Sequence, residues 1–371
     1  MTFKPLNEND VVSTRTLLHE AIPLTGSIVS GTYTDVNTSL NVKSYSHGMF
    51  QSVYDYPYLS SSANHIFDIT VGVSAQSNLY SAVTSQKSKK KNIYNQMAQV
   101  LMGYDATGSV LRFDEDGDLL AGGTKLDNVF FLNFSRLLCK DEIKKGTFQL
   151  EMGTRATFDQ KGILFANRLL ITDESGSNGY FTNSPAGEYG VLYVTASGAD
   201  TLTTLQRDFL NTDRPAVGLL FYQAGIAVIS GSIFNDSDHG GLLHTTRGTV
   251  RLTSTSGETG FQMVTGSNID AIADGIRNRI SNIQFNNTTE LNSTVYFCRA
   301  NHNEFNYSSN PTYVSGSKIR VKTNSTDNPV SYITTVGLYN DNNELMATAK
   351  LSEPLKKSPD TEFTIRARLD Y

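Results

Sequence analysis

The stretch that decides the fold is Ser331–Tyr371, which reads SYITTVGLYNDNNELMATAKLSEPLKKSPDTEFTIRARLDY. Two apolar-rich runs, Tyr332–Tyr339 and Leu345–Leu351, flank the turn Asn340-Asp341-Asn342-Asn343. Asn and Asp tolerate left-handed backbone angles and bond to their own main chain, so a turn of this composition favours tight reversal of the chain. The stretch therefore predicts a β-hairpin.

The last ten residues, Glu362–Tyr371, alternate apolar and polar side chains. This alternation predicts a strand with one buried face and one face in water. We expect four side chains of the stretch to form the core of a C-terminal domain: Tyr339, Leu345, Ile365 and Leu369. Two arginines on the opposite face, Arg366 and Arg368, are expected to make polar contacts. Nothing in the stretch has the pattern of a catalytic site.

Composition extends this prediction to the whole chain. Its 371 residues are 39% hydrophobic and 18% charged, with no Trp and 29 Gly, and Asn, Ser and Thr are abundant. Short strands joined by polar, glycine-bearing turns account for this mixture better than helices do. We predict a mainly β fold with a minor α+β component, built from several short-stranded antiparallel sheets or sandwiches with two or three short helices.

The chain is expected to form three regions. Residues 1–85 are predicted to be an N-terminal β or extended region, residues 86–288 a central β-rich domain with two amphipathic helices, and residues 289–371 a C-terminal antiparallel β domain. The second boundary lies in the polar segment Asn286–Asn292.

Charge and cysteine content exclude several classes of protein. The net charge is -5 and the pI is about 5.7, which argues against a dedicated nucleic-acid binder because neutralising phosphates needs a surplus of Lys and Arg. No apolar run has the length of a membrane span, and the N-terminus lacks the pattern of a secretion signal. Cys139 and Cys298, the two cysteines, are expected to be reduced, buried thiols in a protein made in a cytoplasm.

Individual elements follow from periodicity. Lys87–Tyr104 and Ile269–Ile280 carry apolar residues at helical spacing, the second with Asn268 as cap. Val217–Phe234 is nearly all apolar and predicts a buried hairpin turning at Gln223-Ala224-Gly225. Asn128–Leu138 and Thr147–Met152 are predicted to be a pair of strands, and Val11–Ile22 a further strand.

Two loops have residue types that bind cations. Asp114–Asp118 reads DEDGD, like the start of a calcium loop, but the twelfth position is Lys125 where a bidentate Glu is needed. Asp236–His244 contains Asp236, Asp238, His239 and His244, types that bind metals but are more often simply solvated. We therefore predict no metal site and no cofactor, while a weak cation site in either loop stays open.

Other candidate sites are equally weak. His239 has no nucleophile-elbow sequence to complete a hydrolase triad, so no catalytic residue is predicted and the chain is expected not to be an enzyme. The lysines of Lys87–Lys91 favour a charged helix start or an exposed linker over phosphate binding. Three tyrosines that would suit a carbohydrate groove are better explained by packing: Tyr54, Tyr56 and Tyr58.

Several segments resemble virion structural proteins of tailed bacteriophages, mainly those with contractile tails. They are TLLHEAIPLTGSIVSGTY at Thr16–Tyr33, HGMFQSVYDYPYLSSSANHIFDIT at His47–Thr70, LFYQAGIAVISGSIF at Leu220–Phe234, TVYFCRANHNEFNYSSNPTYV at Thr294–Val314, and the C-terminal stretch. They lie across most of the chain. The motif GLYN…ELMATAK within the last of them is similar to hairpins that end baseplate modules.

This resemblance implies a non-enzymatic component of the virion, most closely a tail or baseplate subunit. Its implied partners are other virion structural proteins and copies of itself in a symmetric ring, in a particle assembled in the host cytoplasm. Alternatives that stay open are a receptor- or glycan-binding tail protein, and a capsid, neck or sheath-associated protein. A polysaccharide-degrading enzyme is a third hypothesis, which rests only on scattered Asp and Glu residues.

Overall fold

The computed structural model describes residues 3–24, 34–35, 38–39, 42–55, 64–77, 85–118, 122–153, 168–196, 216–234, 268–277, 280–308, 313–315, 318–319, 324, 326 and 328–371. The strands of these residues are β1 (Val11–Leu24), β2 (Thr34–Asp35), β3 (Thr38–Ser39), β4 (Val42–Ser44), β5 (Gln51–Tyr54), β6 (His65–Val73), β7 (Asn128–Phe134), β8 (Glu142–Ile143), β9 (Gln149–Gly153), β10 (Arg168–Thr172), β11 (Phe181–Ser184), β12 (Gly187–Ala196), β13 (Ala216–Phe221), β14 (Ile226–Ser230), β15 (Ile280–Ala300), β16 (Val314–Ser315), β17 (Lys318–Ile319), β18 (Ser331–Tyr339), β19 (Leu345–Lys357) and β20 (Phe363–Asp370). Their helices are α1 (Ser85–Leu101), α2 (Arg136–Cys139) and α3 (Ile269–Arg277), with 3-10 turns at Glu8–Asp10 and Gly231–Phe234. The predicted mainly β fold with few short helices is confirmed.

The chain forms two compact units. The large unit is His19–Thr289, and the small unit combines Met1–Leu18 with Glu290–Tyr371. Strands β1 and β15 each continue from one unit into the other. The boundary predicted after residue 288 lies next to the break at Thr289, whereas residue 85, the other predicted boundary, is the first residue of α1 within the large unit.

Most strands of the large unit belong to one antiparallel sheet. Its order is β15-β9-β10-β12-β13-β14-β7-β6-β5-β4, with β11 paired to β12 and β8 paired to β15. The buried hairpin predicted for Val217–Phe234 is confirmed, because β13 pairs with β14 from Gly218↔Ile229 to Phe221↔Ile226. Gly225 completes its turn with φ +68°, a left-handed angle that favours glycine.

The core of the large unit packs aromatic side chains between this sheet and α1. Tyr94 of α1 meets Phe113 with ring centroids 5.4 Å apart, and Phe113 meets Phe131 of β7 at 5.7 Å. The helix approaches the sheet closely at Gly72, where an added Cβ would lie 2.8 Å from the Phe131 ring and 3.1 Å from the Cα of Tyr94. All described members of the chain's main hydrophobic cluster lie between Leu24 and Phe285, within the large unit.

The polar segment Asn286–Asn292, which contains the break at Thr289, lies in the middle of β15, a strand of 21 residues. Its polar side chains find partners on neighbouring elements of the large unit. The Asn287 amide donates to the Leu138 carbonyl at 2.8 Å, and its Oδ1 accepts the Glu20 backbone N–H at 3.1 Å. Hydrogen bonds of this kind allow a polar segment to run as a buried strand.

The predicted pairing of Asn128–Leu138 with Thr147–Met152 is wrong. β7 lies between β6 and β14, while β9 lies between β15 and β10. The first strand also ends early, at Phe134, because the next residues turn into α2, where the Cys139 N–H donates to the Ser135 carbonyl at 3.1 Å.

The two predicted helices exist with different limits. α3 ends at Arg277 and not at Ile280 as predicted. Ile280 starts β15 opposite Met152, because it pairs with β9 instead of continuing the helix. In α1, Val100 is 62% exposed, and Tyr104, beyond the end of the helix, is 54% exposed, while Lys87 and Lys90 are buried. The lysine run is therefore a helix start, and the exposed-linker alternative is wrong.

Candidate assembly surface

The small unit contains the C-terminal stretch Ser331–Tyr371. The predicted C-terminal hairpin is confirmed: β18 pairs with β19 in an antiparallel ladder from Ser331↔Lys357 to Tyr339↔Leu345. Within the described residues these two strands pair only with each other. One face of the hairpin is half-buried and carries small and medium apolar residues, among them Val336, Leu338, Ala347 and Ala349.

The turn of this hairpin forms as its sequence predicts. The Asn340 Oδ1 accepts the backbone N–H groups of Asn342 at 3.0 Å and Glu344 at 2.8 Å, and its Nδ2 donates to the Glu344 carboxylate at 2.7 Å. Asn343 takes φ +62°, the left-handed angle that Asn tolerates. All residues of 341–346 are exposed, and we call Asn340–Met346 the hairpin tip.

The last strand, β20, pairs with β15 and not with the hairpin. Its register runs from Ser293↔Asp370 to Ala300↔Phe363. The first residues of β1 lie along β15 as well, with the Ser13 Oγ 3.1 Å from the Thr294 Oγ1. The result is a three-stranded antiparallel sheet within the small unit.

One face of this three-stranded sheet forms an open groove of about 400 Å³. Val295 and Phe297 of β15 make its apolar floor, and Arg366 and Arg368 of β20 make one wall. The other wall comes from alternate residues of β1, namely Val12, Thr14 and Thr16. The groove therefore combines apolar surface with positive charge.

Charged groups of this sheet are only partly paired. The Arg299 Nε donates to the Asp10 carboxylate at 2.6 Å, and this bond holds the pKa of Asp10 below its usual range. The Ser293 hydroxyl, followed by the Arg368 Nε at 2.7 Å, lowers the pKa of Asp370 in the same way. Arg366 is exposed and forms none of the ion pairs found among the described residues.

The interior of the small unit is unusually polar. The Lys357 ammonium is fully buried and donates to three oxygens: the His302 carbonyl at 3.2 Å, the Asn306 Oδ1 at 2.8 Å and the Ser358 carbonyl at 2.9 Å. These bonds hold the 302–306 turn, in which Phe305 has φ +53°. Hydrogen bonding satisfies the buried charge, but it contributes little of the stabilisation that a hydrophobic core supplies.

Few hydrophobic side chains of the small unit are fully buried. Among its described residues, three hydrophobic side chains are buried, Val295, Ala300 and Ala367. In contrast, 13 of the 17 exposed large hydrophobic side chains described in the chain lie in this smaller unit. A unit of this length normally holds a contiguous buried core. The single chain therefore leaves these thirteen side chains in contact with solvent.

The four predicted core residues differ in burial. Ile365 and Leu369 are half-buried on the inner face of β20, whose predicted alternation is confirmed. The core assignment is wrong for Tyr339 and Leu345, which are 38% and 53% exposed. Arg366 and Arg368 lie on the opposite face of β20 as predicted, and both line the groove.

In the calcium-like loop, the Lys125 ammonium pairs with the first carboxylate, that of Asp114. Of the residues that the structure describes, Asp114, Asp116 and Asp118 are the set whose carboxylates approach within 4.8 Å of one another. Asp114 is fully buried, and burial raises its pKa although the Lys125 ammonium bonds to it and opposes the shift. Lys125 thus occupies the position where a calcium loop has its bidentate Glu.

Other candidates from the sequence lie partly outside the described residues. The loop Asp236–His244, with His239, is outside them, as are Tyr56 and Tyr58. Tyr54 is buried beside His65 with ring centroids 5.3 Å apart, so it packs inside the large unit.

The structure also brings together a Ser, Asp and His set that sequence reasoning missed. The Ser52 Oγ donates to the Asp68 Oδ1 at 2.5 Å, and the His65 Nε2 lies 2.8 Å from the same oxygen. A hydrolytic triad needs the imidazole between the hydroxyl and the carboxylate, so this order does not activate Ser52. The register of β5 against β6, which sets Ser52 opposite Asp68, is the feature that would have revealed the set.

A second missed cluster surrounds Lys145 in the large unit. Its ammonium lies 2.6 Å from the Glu188 carboxylate and over the rings of Tyr180 and Tyr222. Nearby, Asp173 is fully buried and accepts the N–H groups of Gly146 at 2.7 Å and Phe148 at 2.8 Å. Burial raises the pKa of Asp173. These contacts connect the turn at Lys145-Gly146 with the turn that follows Asp173.

No helix within the described ranges is both long enough and apolar enough to span a membrane. Comparisons with protein-family models, curated proteins and solved structures found no match to this chain.

Proposed function

We propose that this chain is a non-enzymatic structural subunit of a tailed-bacteriophage particle and that it assembles through the small unit. The resemblance of five segments to virion structural proteins supplies the class of particle, with the tail or baseplate as the position. Its partners are other virion structural proteins and further copies of the chain.

The observation that carries the proposal is the distribution of hydrophobic side chains in the small unit. Three are buried among its described residues while thirteen large ones are exposed. Full burial of a large hydrophobic side chain contributes about 1.5–3 kcal/mol relative to full exposure. These side chains are 37% to 73% exposed, so covering each one contributes a corresponding part of that value, and covering several would stabilise an assembly. Interface cores are rich in Tyr, Phe and Met, the types exposed at Tyr332, Phe3 and Met346.

The edges of the sheets add a second means of association. β18, β19 and β20 each have one side without a neighbouring strand among the described residues. Such edges present free backbone N–H and C=O groups that pair with strands of other subunits. In an assembly of repeated copies, such a contact recurs between neighbours.

The proposal is tested in purified particles of the phage whose genome encodes the chain. Quantitative mass spectrometry should find the chain in a fixed, multiple copy number, and a particle map should show the small unit against neighbouring subunits. Particles that lack the chain would contradict the proposal.

A matched pair of variants tests whether the small unit is the surface used. Tyr332→Asp places a charge at a side chain that is 59% exposed in the small unit, and Val100→Asp does so at one that is 62% exposed in the large unit. Both variants should fold, as judged by circular dichroism. Tyr332→Asp should fail to enter particles while Val100→Asp enters them; equal incorporation would rule out the surface around Tyr332.

A further inference from the structure

We infer that the groove of the small unit receives the hairpin tip of a second copy of this chain, so that copies join head to tail. The inference deepens the proposed function, and rests on it, by naming the partner of the assembly surface.

The groove presents apolar surface beside unpaired positive charge. Val12 is 44% exposed at one wall, and Val295 and Phe297 form the floor. Its two charged lining residues are both arginines, and Arg366 forms none of the described ion pairs. A ligand that fits this groove has apolar groups next to a carboxylate.

The hairpin tip has this chemistry. From Gly337 to Thr348 the chain carries two charges, the carboxylates of Asp341 and Glu344, and no basic residue. Leu345 and Met346 adjoin them and are 53% and 68% exposed. The tip therefore presents negative charge and uncovered aliphatic surface side by side, which complements the groove in both respects.

The occupant is a different copy because each chain leaves its own tip and groove open. Residues 341–346 are all exposed, and the groove is open to solvent in the same chain. Groove and tip are different patches, so the contact is heterologous and repeats from copy to copy around a ring or along a filament. We assign Asp341 and Arg366 as the charged pair of the contact, since both are exposed and neither forms a described ion pair within the chain.

A charge exchange in the purified full chain tests this assignment. Sedimentation velocity over a range of concentrations measures the dissociation constant of self-association for the wild type, Arg366→Asp, Asp341→Arg and the double variant. Each single variant should raise the dissociation constant by about tenfold or more, because like charges then meet across the contact. The double variant should return it to near the wild-type value, and salt should weaken the wild-type contact.

Controls separate loss of contact from loss of fold. Lys350→Glu changes the net charge by as much as Arg366→Asp, but lies on β19 away from the tip, and it should leave the dissociation constant unchanged. Leu345→Ser with Met346→Ser should also weaken association. All variants should keep the thermal unfolding midpoint of the wild type measured at a concentration where it is monomeric.

A wild-type chain that stays monomeric up to its solubility limit would overturn the inference. So would self-association that neither single variant weakens, or a double variant that does not recover. These outcomes are independent of the particle test. If the chain is found in particles but is monomeric when purified, the proposed function is supported and this contact is contradicted. If the chain self-associates but is absent from particles, the contact is supported and the proposed function is contradicted.

Discussion

Tyr339 and Leu345 face each other in the last pair of the C-terminal hairpin, and neither is buried. A cross-strand pair of this type contributes about 0.2–1 kcal/mol. The hairpin end therefore depends on its turn and its backbone ladder rather than on a core. Substitutions in the turn should affect it directly.

At Asn343, replacement by Gly should preserve or slightly stabilise the hairpin, whereas replacement by Val should destabilise it by about 1–2 kcal/mol. The reason is the φ of +62°, which Gly adopts freely and a β-branched residue does not. Chemical denaturation with NMR of the hairpin resonances measures the change. The control is Asn342→Val, where φ is not left-handed, and an equal loss there would argue against this explanation.

Removing the carboxylate of Asp173 should destabilise the large unit. Asp173→Ala leaves the N–H groups of Gly146 and Phe148 without their acceptor. Phe148 is buried, and a buried unsatisfied donor costs about 1–3 kcal/mol, whereas Gly146 is exposed and its N–H can bond to water. Asp173→Asn keeps one acceptor oxygen and should fall between the wild type and Asp173→Ala in urea denaturation. Equal stability of the two variants would contradict this role.

The pH dependence of the same residue has a definite sign. Burial raises the pKa of Asp173 in the folded protein, so the folded state holds its proton more tightly than the unfolded state. The resulting stabilisation is complete below the unfolded pKa of about 3.9 and is lost as the pH rises through the folded pKa. The difference in unfolding free energy between the wild type and Asp173→Asn should therefore decrease from acid towards neutral pH, and a difference that grows would contradict the direction of the shift.

Lys125 should be required for the stability of the large unit, because it is the counter-charge of the buried Asp114 carboxylate. Lys125→Met leaves the Asp114 carboxylate without its counter-charge and should cost about 3 kcal/mol in urea denaturation. The double variant Lys125→Met with Asp114→Asn removes both charges and should recover much of that loss. If the single and double variants are equally destabilised, the ion pair is not the cause.

The two thiols should react at different rates. Cys139 is buried and its pKa is raised to about 12 by burial, while Cys298 is partly exposed. Since the thiolate is the reactive form, a disulfide reagent should label Cys298 first in the native protein and Cys139 only after unfolding. Labelling of native Cys298→Ser at the rate of denatured protein would show that Cys139 is accessible.

The parts of the fold that were predictable from sequence depend on local information. The turn at Asn340–Asn343 and the alternation of β20 are set by residues within a few positions of each other. The partner of β20 was not predictable, because pairing with β15 joins segments far apart in the chain. The same applies to Asn287, which lies in the polar segment predicted as a domain boundary: its partner, the Leu138 carbonyl, is distant in sequence, so its place in a buried strand was not predictable.

For the candidate surface, the sequence predicted which residues share a face of β20, but neither their exposure nor the groove. Alternation identified Ile365 and Leu369 as one face and Arg366 and Arg368 as the other, and the structure agrees. Apolar character also predicted burial for Tyr339 and Leu345, but periodicity indicates which face a residue lies on and not what covers it. The open groove requires three strands from three parts of the chain, so no local pattern reveals it.

The hydrogen bonds of Asn340 have a consequence for the thermodynamics of docking. Its side chain fixes Asn342 and Glu344, and its own N–H donates to the Glu344 carbonyl at 3.0 Å, so the backbone of the tip is already ordered in the free chain. Ordering a flexible residue costs about 1–2 kcal/mol in conformational entropy. A neighbour that binds this tip does not have to supply that free energy, so more of the contact energy is retained as affinity. In the head-to-tail contact proposed above, this pre-organisation of five residues by a single asparagine would let a small contact hold two copies together.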